Sequence, residues 1–98
     1  MADGVILKAI GANLRKARLA AGLTQEGVAE LVEIHWKTLG YMEAGKRDFG
    51  TKSLAKLILV LKVSPEVIFE GVHFQPAAGD KLVRKATARK RRASRKAV

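Results

Sequence analysis

Between Gln25 and Arg47 the chain gathers the side chains best suited to recognition chemistry: Gln25, His35, Trp36, Lys37, Thr38, Tyr41, Lys46 and Arg47. Lysine and arginine donate to phosphate oxygens or to guanine O6 and N7, and neighbouring side chains can reach other base edges or touch a thymine methyl. Bond-making chemistry has no comparable set of residues. The chain has no cysteine, which excludes a thiol nucleophile, a thiolate metal site and a disulfide framework. His35 and His73 stand 38 positions apart with no acidic cluster beside them, so neither a metal centre nor a cofactor is expected. No paired carboxylates, phosphate-binding glycine loop or Ser-His-Asp set stands out. The reading is a binding protein, not an enzyme.

The charge balance narrows the partner. In 98 residues the net charge is +10. Residues 77–98 hold nine bases (Lys81, Arg84, Lys85, Arg89, Lys90, Arg91, Arg92, Arg95 and Lys96) against one acid, Asp80. Residues 1–76 are nearly balanced, with ten bases and eight acids. A block of like charge repels itself, stays extended and commonly binds nucleic acid. The break near Gln75-Pro76-Ala77-Ala78-Gly79 divides a body, 1–74, from a basic tail, 75–98, expected to be disordered and to supply non-specific phosphate contacts. No apolar run is long enough to cross a membrane, and the early Asp3 with no basic segment before it argues against a signal peptide. A soluble cytoplasmic protein with a strong positive charge is the expected setting.

These side chains need helices to position them. Ile6, Ile10, Leu14, Ala17 and Ala21 recur at spacings of three and four, the mark of an amphipathic helix over about 4–21. Asp3 is a candidate N-cap and Gly22 a candidate left-handed stop. Thr24 offers a second N-cap for a short helix at 25–32, with Val28, Ala29 and Val32 turned inward. Gly27 weakens that helix and stands where a capping box wants Glu or Gln. A third helix spans 35–44, with Leu39 and Met42 inward and Gly45 as its stop. A fourth spans 51–61, with Thr51, Leu54, Leu57, Ile58 and Leu61 on one face. Ser64-Pro65 opens a fifth at 65–70, closed by Gly71. No period-two alternation suggests a strand, so the fold expected is all-α, a compact five-helix body with a basic C-terminal tail.

The second and third helices are separated by only Glu33-Ile34-His35. A connection that short sets them at a steep angle, the helix-turn-helix arrangement, with the motif at 25–45. Here the stretch resembles the lambda-repressor/Cro-like domain, also called the XRE family. The resemblance is carried by Gly22, Leu23, Thr24, Gln25, Val28, Ala29, Leu39, Met42, Glu43, Gly45, Lys46 and Arg47, without a gap. Leu14–Arg18 looks like the family's first helix, and Leu54, Leu57, Leu61, Val63 and Ser64 match its fourth and fifth. Two positions depart from the pattern. Glu33 stands where the family usually has glycine, at a position that often needs positive φ, and His35 replaces the usual Ser or Thr cap.

The resemblance implies a sequence-specific DNA-binding regulator, a repressor that occupies its operator as a homodimer on double-stranded DNA. It implies that Trp36, Lys37, Gly40 and Tyr41 face the major groove, with His35 and Thr38 beside them. Gly40 stands where a side chain commonly points toward DNA. Gln25 would meet a phosphate near a helix N-terminus, and Lys46 and Arg47 would anchor the backbone. It further implies a partly buried structural ion pair between Arg18 and Glu43. Trp36 alternatively packs in the core, and Lys46 and Arg47 alternatively belong to an ordinary exposed loop. Leu59, Val60 and Val67 are surplus to the inward faces of their helices, and with Val72 and Phe74 they mark a candidate dimer contact. Rival functions on the same fold are an antitoxin with a toxin as protein partner, a coactivator-like bridging module, and RNA binding through the tail.

Overall fold

The computed structural model describes residues 2–74, and the basic tail lies outside the described residues. Five helices form in chain order: α1 (Ala2–Ala20), α2 (Gln25–Val32), α3 (Trp36–Glu43), α4 (Thr51–Leu61) and α5 (Pro65–Ile68). Among the described residues there is no strand. The bounds expected for α2 and α4 agree with the structure. Helix α1 begins earlier than expected, and Asp3 lies inside it rather than capping it. Helix α5 is a single turn, shorter than the 65–70 expected, because Phe69 already leaves helical geometry (φ −95°, ψ 6°).

The helix ends follow one rule. After α1, α2, α3 and α4 the chain passes through a left-handed residue: Gly22, Glu33, Gly45 and Lys62 (φ 72°, 63°, 73° and 55°). The amide of the next residue then returns to a carbonyl in the last turn, as in Leu23 N to Arg18 O, Ile34 N to Ala29 O, Lys46 N to Tyr41 O and Val63 N to Ile58 O. This arrangement satisfies carbonyls that the helix end would otherwise orphan. In three of the four cases the residue after the turn is apolar. Leu23, Ile34 and Val63 all pack against the core. Burying that side chain and closing the return bond offset the roughly 1–2 kcal/mol that Glu33 and Lys62 lose by adopting left-handed backbone without being glycine. The helix-turn-helix turn is therefore built without glycine.

The starts are equally local. Thr24 Oγ1 accepts from Gly27 N at 3.0 Å. Ser64 Oγ accepts from Val67 N at 3.4 Å, with Pro65 at the first helical position. The His35 ring does the same for α3, its Nδ1 accepting from Lys37 N at 3.1 Å.

One core joins all five helices: Ile10 and Leu14 from α1, Val28, Ala29 and Val32 from α2, Leu39 and Met42 from α3, Leu57 and Leu61 from α4, and Ile68 from α5. Phe49, in the loop between α3 and α4, completes it. The loop is steered inward there, with the Phe49 amide donating to Asp48 Oδ1 at 2.7 Å. Asn13 ties α1 to the far end of the chain. Its Nδ2 donates to Ile68 O at 2.7 Å and to Glu70 O at 2.8 Å, which satisfies the last carbonyl of the one-turn helix α5 and a carbonyl just beyond it. Val60 and Val72, expected at the surface, are half-buried against the core.

Helix α1 lies close against the C-terminal end of α3. A Cβ at Gly11 would collide with the carbonyl oxygens of Met42 and Glu43, and one at Gly45 would come within 2.6 Å of Lys8 Cα. Alanine would favour the helix at Gly11 by up to about 1 kcal/mol. Forcing backbone apart in a packed core costs about 1–3 kcal/mol, and that term wins. Gly11→Ala is expected to lower stability by about 1–2 kcal/mol in urea unfolding. A variant as stable as the parent would show that α1 and α3 do not pack this closely.

Candidate nucleic-acid interface

Helix α3 has two unlike faces. Leu39, Met42 and Glu43 are buried, while Trp36, Lys37 and Tyr41 are exposed. Trp36 is 44% exposed and Tyr41 53%, so the core alternative for Trp36 is excluded. Thr38 and Gly40 are half-buried, while Lys46 and Arg47, just beyond the helix, are exposed. These exposed residues make an outward row on α3, followed in the chain by two exposed cations. His35 sits at the head of the row, its ring stacked on Trp36 with centroids 5.9 Å apart and planes at 24°. The Lys37 ammonium lies 5.8 Å from the centre of the same indole.

Gly40 does not point outward as the resemblance implies. It faces α2, where an added Cβ would sit 3.6 Å from Gln25 Oε1 in ordinary contact. Gln25 is itself half-buried, with Nε2 donating to Glu43 Oε1 at 3.1 Å.

That bond extends a buried charged network. Arg18 Nε donates to Glu43 Oε2 at 2.7 Å, and Arg18 Nη2 donates to Glu43 Oε1 at 3.0 Å, a bidentate pair. Arg18 Nη1 donates further to Leu23 O at 2.8 Å. Both residues are only 7% exposed. The Glu43 carboxylate raises the Arg18 pKa above its ordinary value mainly through these hydrogen bonds, with burial opposing it. The guanidinium therefore stays charged at every physiological pH. The network holds α1, the α1–α2 turn, α2 and α3 at one point, and it fixes the side chain of Gln25 at the edge of the exposed row.

The acids of α2 lie elsewhere. Glu26 and Glu30 are exposed, and Glu33 is exposed at the turn with a loose 3.8 Å contact to Lys56. Of the residues expected at a dimer contact, Leu59 (75% exposed), Val67 (46%) and Phe74 (60%) are free at the surface. Val72 is half-buried and belongs to the core margin, because it packs against the main cluster. Among the described residues no group of acids and histidines could hold a metal ion, and no helix is long and apolar enough to cross a membrane.

Sequence reasoning missed Phe49, Asn13 and Gly11. Phe49 lies in a loop with no period to flag it. Asn13 and Gly11 interrupt the helical pattern, and their contacts lie more than twenty residues away. The bond from Gln25 to Glu43 has no local signal either.

Two short helices joined through a tight left-handed turn, braced by α1 and presenting a basic and aromatic row, define a helix-turn-helix domain of the XRE type. The chain belongs to the helix-turn-helix family, which matches residues 14–68. It is 34% identical over 65 residues to the SPbeta prophage-derived uncharacterized HTH-type transcriptional regulator YonR of Bacillus subtilis, and it spans 60% of that relative's length and 66% of its own. The restriction-modification controller protein C.AhdI of Aeromonas hydrophila superposes with a TM-score of 0.61 at 33% identity, over 64% of this chain and 96% of the other. The clp gene regulator ClgR of Corynebacterium glutamicum superposes with a TM-score of 0.63 at 27% identity, over 90% of this chain and 88% of the other. These relatives are regulators rather than enzymes, in agreement with the residue chemistry.

Removing one partner of the buried pair tests the network. Arg18→Ala leaves the Glu43 carboxylate buried beside Gln25 alone and should cost about 3–5 kcal/mol of stability. The double variant Arg18→Met, Glu43→Met removes both charges and should recover most of that loss, because a well-packed apolar pair is often neutral relative to a buried ion pair. Thermal and urea melts of the single and double variants decide the matter. A single variant as stable as the parent would mean that the pair is exposed to water in solution.

Proposed function

We propose that the protein is a sequence-specific transcriptional regulator that binds double-stranded operator DNA, with α3 as the helix that enters the major groove. The observation that carries this reading is the two-faced α3. Its inward residues are locked by the core and by the Arg18–Glu43 pair, while Trp36, Lys37 and Tyr41 stay exposed on its outer side, Trp36 stacked on His35 and under the Lys37 ammonium. Recognition helices place such outward side chains on base edges. Lys37 suits guanine O6 and N7, Tyr41 suits the groove wall or the sugar-phosphate backbone, and Lys46 and Arg47 suit phosphate. Gln25 reaches phosphate through whatever part of its amide Glu43 leaves unbound. Occupancy of an operator would act by excluding polymerase, which makes repression the regulatory sign we favour, in a bacterial cytoplasm.

The protein would act as a homodimer. Support comes from Leu59, Val67 and Phe74, three large apolar residues that remain exposed near the end of the body. Exposed apolar surface on a small domain commonly marks a partner site, and two copies would read two half-sites about one helical turn apart.

Selection of duplexes from a random library by the full chain tests both readings. The enriched sequence should consist of two half-sites related by a two-fold axis. Lys37→Ala and Tyr41→Ala should each weaken binding to it by roughly 1–3 kcal/mol, with circular dichroism unchanged. Full affinity in both variants would remove α3 from the interface, and a lone half-site would count against the dimer.

The nine basic residues of the tail would add affinity without sequence preference, since phosphate contacts position a protein but carry no base information. Each phosphate neutralised on duplex DNA contributes about −0.9 to the slope of log K against log salt. If four phosphates are engaged, deletion of residues 77–98 should flatten that slope by roughly 3 to 4 units. The ratio of selected to random affinity should survive. An unchanged slope would mean that the tail stays off the DNA.

A further inference from the structure

The His35 ring does more than cap a helix. Its Nδ1 accepts from Lys37 N at 3.1 Å. A ring nitrogen that accepts carries no proton, so the capping imidazole in its neutral form bears its proton on Nε2. His35 is exposed, and Nε2 has no hydrogen bond to any described residue. The ring is nevertheless held in place. The capping bond fixes one edge, and the indole of Trp36 lies along its face at 5.9 Å and 24°. Trp36 is 44% exposed and contributes nothing to the core cluster. Its contacts are instead with its neighbours, the His35 ring and the Lys37 ammonium. A side chain ordered before binding loses less entropy when a partner arrives.

We propose that His35 is a specificity-determining residue of the α3 face, donating Nε2–H to a hydrogen-bond acceptor on DNA, with Trp36 as the positioning residue that holds the imidazole plane. The proposal rests on the DNA-binding reading above. The acceptor is a purine N7, because a phosphate contact would carry no sequence information. A donor with no accepting partner atom beside it favours such an acceptor and discriminates against the amino groups of adenine and cytosine in the same groove.

The test uses the full chain and a duplex selected from a random library. That duplex is resynthesised with 7-deazapurine at each purine in turn, which removes N7, and with methylphosphonate at each phosphate in turn. His35→Ser keeps a capping oxygen but has neither the reach nor the ring. It should keep the parent melting temperature and bind the unmodified duplex about tenfold more weakly. One analogue position that weakens the parent should have no effect on His35→Ser. A 7-deazapurine at that position supports the inference, and a methylphosphonate position instead overturns the specificity role, because a backbone contact carries no base information. Trp36→Ala should weaken binding and blunt the effect at that same position, and Trp36→Phe, which can still stack, should restore it. A His35→Ser variant that binds like the parent, or that loses affinity with every analogue effect intact, overturns the inference and leaves the recognition reading standing. A library that enriches no sequence overturns the recognition reading and this inference with it.

Discussion

The buried pair between Arg18 and Glu43 is the constraint from which the rest of the structure takes its geometry. Two opposite charges, each 7% exposed, meet through two hydrogen bonds of 2.7 and 3.0 Å. Such a pair contributes little net stability, because desolvation cancels most of the attraction. Its effect is on geometry. Glu43 ends α3, Arg18 lies in the last turn of α1, and the remaining donor of Arg18 holds the Leu23 carbonyl in the turn before α2. A planar guanidinium with three fixed directions leaves these elements few relative positions that satisfy all its bonds. Gly11 and Gly45 supply the close approach that brings the helices within reach.

Helices α2 and α3 have eight residues each, well short of the length at which an isolated helix is stable in water. They persist because their ends are closed locally and their inner faces are buried. The capping atoms of Thr24 and His35 secure the starts, and left-handed residues with return bonds secure the stops. Glu33 accepts a conformation better suited to glycine, offset by the burial of Ile34. With both helices pinned, the outward side of α3 is free of structural duties. Trp36, Lys37 and Tyr41 can then be large, aromatic or charged without cost to the fold.

The core and the ion pair position α3 and leave Trp36, Lys37 and Tyr41 exposed on its outer side for the recognition role proposed above, and Leu59, Val67 and Phe74 likewise stay exposed, where the proposed dimer would bury them. The excess charge lies almost wholly in the tail, so the nearly balanced body is spared the self-repulsion that +10 would otherwise impose.

The sequence by itself determined the element order, the bounds of α2 and α4, the caps at Thr24 and Ser64, the stops at Gly22 and Gly45, and the Arg18–Glu43 partnership through its family resemblance. These are local signals, or signals repeated at a fixed period, and a linear chain displays both. The tertiary structure alone decided that Phe49 fills the core from a loop, that Asn13 closes α5, that Gly11 admits the α3 carbonyls and that Gln25 turns toward Glu43. It also decided that Trp36 lies outside the core, where spacing from Leu39 allowed either side. Each of these depends on which surfaces meet after the helices pack. That meeting is set by steric fit and hydrogen-bond satisfaction between residues distant in the chain, and no local pattern of residue types records it.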